Sequence, residues 1–253
     1  MPRFLTALPV YNEAAHVSGV LDEVLKHTSD VLVVDDGSTD GTSPLLAARL
    51  ERQGDIRLVR HPRNQGYGAA LATAFREALA GPWDGLVTID CDGQHQPRLI
   101  PAFIAALAGS AVGASAGRPV DIVSGSRYLR RFPGDSQPPA ARRRINAEIT
   151  ADINARLGLA LTDAFCGFKA YSRRALGQLH VSETGYAMPL EVWVQAAAAR
   201  LRIVELPVPL LYLDLARSFG GALDDAATRL AYYRSVLDRA EAAVAAAAPG
   251  TST

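Results

Sequence analysis

The stretch VLVVDDGSTDGT, residues 31–42, decides the fold. Apolar residues 31–34 run straight into Asp35 and Asp36, and Gly37 to Gly41 then turn the chain sharply. An apolar run this short, with a turn behind it, is the signature of a strand covered on both faces. The same signature recurs outward in FLTALPV (4–10), IRLVR (56–60), GLVTID (85–90) and DIVSGS (121–126). Helical patterns fill the intervals near 13–27, 43–53, 67–80 and 97–108. Such alternation predicts parallel strands joined by right-handed crossovers, and so a single doubly wound α/β sheet flanked by helices. Ser43-Pro44 and Gln96-Pro97 supply helix starts, with Ser43 as a capping hydroxyl, and Gly54 and Gly81 supply stops.

The later sequence is less regular. RRFPGDSQPPAA (130–141) is broken by three prolines and a glycine and reads as a surface loop over a site. A helix over 142–157, an irregular stretch, a helix near 188–200 and a strand IVELPV (203–208) follow. Residues 223–248 form one amphipathic pattern, apolar at 223, 227, 230, 233, 237, 240 and 244. The expected organisation is a catalytic domain over 1–222, then a terminal helix and disordered tail over 223–253, the helix docked on the domain or serving a homodimer contact.

Composition excludes several classes. Lys and Arg together number 26, as do Asp and Glu, so no net field draws the 253-residue chain to nucleic acid. Locally, Arg127, Arg130, Arg131 and Arg142 to Arg144 make a basic patch. Cys91 and Cys166 have no metal-ligand spacing and suit free thiols in a reducing, cytoplasmic setting. The N-terminus has no signal-peptide pattern, and the longest apolar run, Ala242–Ala248, is far short of the ~20 residues of a spanning helix. The expectation is a soluble protein, at most peripheral at the inner membrane face.

Ligands of an open parallel sheet bind at the carboxyl ends of its strands. Three predicted strands end there in polar clusters: Pro9 to Glu13, Asp35 to Ser38, and Asp90 to Gln94. In extended backbone Asp90 and Asp92 point the same way. With the amide oxygen of Gln94 they offer hard oxygen ligands suited to Mg²⁺ or Mn²⁺ rather than Zn²⁺. A turn-forming Asp-x-Asp-Gly is the structural alternative. Asp36 can accept hydrogen bonds from a base or a ribose, Tyr11 offers a ring for stacking, and Glu13 is either a helix cap or a ligand. Gly66 and Gly68 permit close backbone approach at a helix start.

LPVYNE (8–13), VVDDGSTDGT (33–42), RNQGYGAAL (63–71), TIDCDGQHQP (88–97), SGSRY (124–128) and TDAFCGFKAYSR (162–173), in this order, resemble glycosyltransferase family 2, the inverting enzymes of GT-A fold. Within it the likeness is greatest to the dolichyl- or polyprenyl-phosphate mannosyl- and glucosyltransferases. The resemblance implies that Pro9, Tyr11, Glu13 and Asp36 hold the nucleoside, and that Asp90 reaches the ribose, the metal or both. It also implies that Asp92 and Gln94 bind the divalent ion on the diphosphate, and that Asp163 to Lys169 face the acceptor. Two departures stand out: Lys169 replaces the family's usual Arg, and the basic motif after the last strand is reduced to Arg217.

The implied activity is transfer of a hexose from a GDP-mannose or UDP-glucose type of donor. Arg127 and one of Arg142 to Arg144 are candidates to neutralise the leaving diphosphate. A lipid-phosphate acceptor is already anionic, whereas a soluble hydroxyl acceptor needs a base, for which Asp163 and Glu191 are candidates. The turn after the first strand lacks the Gly-rich loop of nucleotidyltransferases and the Gly-x-Gly-x-x-Gly of dinucleotide enzymes. A non-catalytic nucleotide-sugar-binding module remains the alternative outside enzymes.

Overall fold

Alternation along β1 (Phe4–Val10) sets the layers: Leu5 and Ala7 enter one apolar core, while Phe4, Leu8 and Val10 enter the other. A strand buried on both faces needs helices on both faces. The computed structural model, which describes residues 2–109, 118–213 and 221–247, has them. On one face lie α1 (Val17–Val24), α2 (Thr42–Gln53) and α4 (Ile100–Leu107), which contribute Leu21, Leu46 and Phe103 to that core. On the other lie α3 (Tyr67–Ala80), α5 (Ala140–Leu157), the short α6 (Arg173–Leu176), α7 (Met188–Ala198) and α8 (Ala226–Ala247).

Between these layers runs a seven-stranded sheet. Its remaining strands are β2 (Val31–Asp35), β3 (Arg57–Arg60), β4 (Gly85–Thr88), β5 (Ile122–Ser126), β6 (Lys169–Ser172) and β7 (Ile203–Pro207), in the order β3-β2-β1-β4-β6-β5-β7. All pairings are parallel except the two made by β6. That strand was hidden in the irregular stretch, because KAYS is only four residues long and opens with a lysine. Since β6 is antiparallel to both neighbours, β5 again points the same way as β4. Its carboxyl end therefore emerges on the edge where β1, β2 and β4 end.

Ser43 does not cap α2. The helix starts at Thr42 behind Gly41, and the Ser43 hydroxyl donates instead to Asp35 Oδ2 at 2.5 Å. Asp40 accepts the Thr42 backbone N–H and hydroxyl, at 3.1 and 2.6 Å, and so does the capping. Gly54 ends α2 in the left-handed conformation, as expected. The proline-rich loop after Arg130 forms no helix or strand before Ala140 and is tied to the segment after β7: Ser136 N donates to Leu210 O at 2.7 Å and Leu210 N to Asp135 Oδ1 at 2.9 Å.

The terminal helix α8 packs on α5 and α7 and buries Tyr233, Val236, Leu237 and Ala240 in the same core as the sheet. Arg156–Asp238 and Arg234–Asp152 ion pairs, at 2.6 and 2.9 Å, fasten it to α5. No helix among the described residues is long and apolar enough to cross a membrane.

The two glycines at the start of α3 accommodate the protein's own backbone. A Cβ at Gly66 would lie 2.3 Å from Thr184 O, and one at Gly68 would lie 2.1 Å from Glu183 O and 2.9 Å from Met188 Cβ. Gly68→Ala should therefore destabilise the fold by about 1–3 kcal/mol through overpacking, measured by urea denaturation. Alanine in an unobstructed helix would stabilise instead, so a gain would show that residues 183–185 do not dock on α3.

Candidate active site

Strands β2, β1 and β4 are consecutive and parallel, so their polar ends fall side by side. Register continues past the strands: Asp36 N donates to Val10 O at 2.8 Å and Ile89 N to Ala7 O at 3.1 Å. A cavity of about 860 Å³ opens along this edge, and Pro9, Tyr11, Glu13, Asp36, Asp90, Asp92 and Gln94 all line it. The loops are laced together: Asn12 N donates to Ser38 Oγ, Thr39 N to Asn12 Oδ1 and Glu13 N to Thr42 Oγ1, each within 2.9 Å. Tyr11, which lines the cavity, is 40% exposed, so stacking is open to it.

The two adjacent aspartates divide their work. Asp35 is sealed beneath the turn, accepting from Ser38 N and Ser43 Oγ. Asp36 faces the cavity and also organises its wall: Oδ1 accepts from Gln65 N at 3.0 Å and Oδ2 from Gly66 N at 2.8 Å. His61 Nδ1 sits 2.6 Å from Asp36 Oδ1, and its Nε2 lies 2.9 Å from Thr73 Oγ1. His61 was missed in the sequence, yet the signal existed. It directly follows β3, as the acidic clusters follow their strands.

Asp90 is held from two sides. Tyr67 OH donates to Oδ1 at 3.0 Å, and His95 Nε2 meets Oδ2 at 3.0 Å. Gly167 leaves room for this carboxylate, since a Cβ there would lie 2.2 Å from Oδ2. Burial by itself would raise the Asp90 carboxyl, but the His95 hydrogen bond and charge, with Tyr67 and Lys169, bring it below the ordinary carboxylate range. Asp92 accepts from Gln94 N at 3.0 Å and Gln94 Nε2 at 2.8 Å. Asp90 and Asp92 on one wall offer hard carboxylate oxygens that fit Mg²⁺ or Mn²⁺, with other positions left to water and substrate, whereas Gln94 turns its amide nitrogen to Asp92 and would have to rotate to offer its oxygen. Among the described residues no three His, Cys, Asp or Glu groups could enclose a metal alone, so the protein would supply only part of its shell.

Two expected bases are corrected by their surroundings. Asp163 is fully buried behind the wall rather than on it. Arg127 Nε and Nη2 donate to its two oxygens at 2.6 and 2.9 Å, and Asn146 Nδ2 and Phe165 N add donors at 2.9 and 3.1 Å. Burial pushes its carboxyl up, but the Arg127 charge and hydrogen bonds outweigh that and hold it far below the usual range. A carboxylate so saturated is a poor proton acceptor, and its evident work is to hold Arg127, which does line the cavity. Glu191 likewise stands off the wall. It accepts from Ser182 N and Glu183 N at 2.8 Å and from Ser182 Oγ at 2.5 Å, clamping the loop before α7.

Of the Arg triplet, Arg142 lines the cavity, Arg143 stacks on Tyr128 at 3.8 Å, and the Arg144 side chain is 69% exposed near Glu148. Arg217 lies outside the described residues. Arg229 and Tyr233 of α8 also line the cavity, and a sequence pattern that marks only the apolar stripe of a terminal helix does not reveal this.

The Arg127–Asp163 pair gives a pH test. The Asp163 carboxyl is depressed in the fold, so its stabilisation is complete above the unfolded value of about 3.9 and is lost as pH falls below it. Asp163→Asn should cost about 1.5–3 kcal/mol at neutral pH, because the charge-assisted hydrogen bonds of the partly exposed Arg127 to a fully buried carboxylate are lost. In urea titrations the gap between variant and wild type should narrow as pH drops from about 5 toward 3. A gap independent of pH would mean the charge pair is not what stabilises this wall.

Comparison with known proteins gives the family of the chain. The family model for glycosyl transferase family 2 matches residues 6–179. An undecaprenyl-phosphate mannosyltransferase of Micrococcus luteus is 32% identical over 233 residues, covering 88% of this chain and 90% of that protein. A polyprenol monophosphomannose synthase of Mycolicibacterium smegmatis is 29% identical over 254 residues, covering 96% and 91%. Among solved structures, glucosyl-3-phosphoglycerate synthase from Mycobacterium tuberculosis, crystallised with Mn²⁺, uridine diphosphate and glucosyl-3-phosphoglycerate, shares the fold with a TM-score of 0.65. It is 20% identical, over 99% of this chain and 82% of that one. The chain, with its mainly parallel GT-A sheet and acidic strand ends, belongs to glycosyltransferase family 2.

Proposed function

We propose that this protein transfers a hexose, with inversion, from a nucleoside-diphosphate sugar to a polyprenyl phosphate, and that it requires Mg²⁺ or Mn²⁺. One observation carries the reading: carboxylates from three neighbouring strand ends share a single cavity with Arg127 and Arg142. The relatives named for undecaprenyl phosphate and polyprenol support the acceptor class.

In this scheme Pro9, Tyr11, Glu13 and Asp36 receive the nucleoside. Asp36 is braced for that role by His61 and by the backbone of Gln65 and Gly66. Asp90, Asp92 and Gln94 would hold the divalent ion, which on binding neutralises the charge that develops on the diphosphate. Arg127, kept in one orientation by Asp163, presents a fixed guanidinium to phosphate oxygens. A phosphate oxygen of the acceptor attacks the anomeric carbon, the bond from that carbon to the diphosphate oxygen breaks, and the nucleoside diphosphate departs with the electron pair. No proton has to move. This matches the engagement of both Asp163 and Glu191 in structural hydrogen bonds, and it disfavours a soluble hydroxyl acceptor. A lipid-borne acceptor places the protein in peripheral contact with a membrane surface, and we include that contact in the proposal.

The test is a transfer assay with GDP-mannose and UDP-glucose against a short-chain polyprenyl phosphate, with Mn²⁺ or Mg²⁺. The expected products are the glycosyl phosphate lipid and free nucleoside diphosphate. Asp92→Ala should lower kcat on the order of a hundredfold or more, and EDTA should abolish turnover. Full activity in EDTA would refute the metal assignment, and donor binding without turnover on any acceptor would favour a non-catalytic module.

A further inference from the structure

Leu129, Arg130, Arg131 and Phe132 follow β5 and have no part in the proposed transfer. They belong to the basic patch of the sequence: residues 127–144 hold six arginines against one acid, Asp135, in a chain of zero formal net charge. Asp135 is spent on backbone, its Oδ2 accepting from Phe132 N at 2.7 Å and its Oδ1 from Leu210 N at 2.9 Å. Arg127 pairs with Asp163, Arg143 lies over the Tyr128 ring at 3.8 Å, and Arg144 stands 3.7 Å from Glu148. Arg130 and Arg131 are exposed, and no ion pair among the described residues holds either one. The Arg130 guanidinium lies 4.4 Å over the Phe132 ring, and Leu129 beside it is 44% exposed.

The segment stands at the mouth of the cavity. Tyr128, just before it, lines the cavity, and three peptide links carry the chain no more than about 11 Å from there to Arg131. Just after it, Ser136 Oγ accepts from Tyr212 N at 3.0 Å, and Tyr212 lines the cavity too. Leu129 and Leu213, the neighbours of these two tyrosines, are both exposed, as are Tyr11 and Tyr186 of the cavity lining. Among the described residues, the other large apolar side chains that are exposed are Leu45 and Leu50 of α2. Apolar side chains gathered beside cations without counter-charges fit an anionic lipid surface. Headgroups take the guanidiniums, and the apolar side chain enters the boundary with the acyl chains. A nucleic acid or an acidic protein would use the arginines and leave the leucine without a role. We infer that Leu129–Phe132 is a membrane-contact segment that seats the mouth of the cavity on an anionic bilayer. This rests on the proposed lipid-borne acceptor and assigns the surface through which that acceptor arrives.

Vesicle sedimentation of the full chain tests this, with vesicles of phosphatidylcholine alone and of an equimolar mixture with phosphatidylglycerol. Wild type should bind the anionic vesicles and come off them as salt rises from about 0.1 M to about 1 M. Each arginine at such a surface is worth about fivefold in partition, so Arg130→Ser combined with Arg131→Ser should lower binding on the order of tenfold or more. Leu129→Ser keeps the charge and should lower binding about threefold or more. Both variants should keep wild-type transfer to a short-chain, water-soluble prenyl phosphate, which checks that fold and site are intact. Both should lose transfer to a long-chain polyprenyl phosphate held in the anionic vesicles. Undiminished vesicle binding by either variant overturns the inference, as does equal wild-type binding to neutral and anionic vesicles. Capture of wild type by polyuridine RNA with no binding to vesicles overturns it too. Arginine-dependent vesicle binding by a protein that transfers to neither acceptor would uphold the surface and remove the reaction. Transfer to the short-chain acceptor with no vesicle binding would do the reverse.

Discussion

Crowding of like charge at one edge of the sheet is the constraint that the rest of the structure answers. Glu13, Asp36, Asp90 and Asp92 line a single cavity because β2, β1 and β4 are adjacent and parallel. Carboxylates sharing one edge repel one another and lose hydration there, so each needs donors of its own. Donors aimed at each group are the response. Asp36 has His61 and two backbone N–H groups, Asp90 has Tyr67 and His95, and Asp92 has both nitrogens of Gln94. The same donors that make the cluster tolerable also fix where each carboxylate points.

The antiparallel strand β6 completes this edge. Its reversal lets β5 run with β4, so Arg127 follows the end of β5 at the cavity. It also brings the segment entering β6, Asp163 to Gly167, to the same edge. There Asp163 orients Arg127, and Gly167 makes room for Asp90. One short strand therefore supplies the cationic wall and the space beside the acidic one. Lys169, its first residue, lies buried with its ammonium over the Trp193 ring at 5.2 Å and donating to the Cys166 carbonyl. That position belongs to the wall's support.

Much of this was legible in sequence, for physical reasons that also explain the gaps. Strands such as 31–35 are covered on both faces, so an unbroken apolar run announces them, and the polar residue after each marks the ligand edge. β6 gives no such run, since Lys169 and Tyr171 alternate with small residues in four positions. The type of a carboxylate was readable, but its direction was not. Asp36 and Asp163 look alike as strand-end or loop acids, and only the fold shows one facing the cavity and the other backing Arg127. Glu191, as a first-turn acid of α7, serves backbone N–H groups of the preceding loop, a role in keeping with its place at a helix start. His61 and Arg229 act across long sequence separations, which no local pattern records.

The division of charge across the cavity also bears on inversion. In the proposed transfer, direct displacement needs the acceptor and the leaving group on opposite sides of the anomeric carbon, yet both would carry phosphate and repel one another. A cavity with carboxylates on its strand-end wall and Arg127, Arg142 and Arg229 elsewhere on its lining offers two chemically different places for phosphate. Beside the carboxylates a diphosphate is tolerable only with a cation between them, whereas beside the arginines a monophosphate needs none. In the proposed transfer each substrate would then have its own favourable place, with attack from the side opposite the leaving group. That separation depends on helices α5 and α8 being held against the sheet edge, which is the work of their shared core and of the Arg156–Asp238 and Arg234–Asp152 pairs.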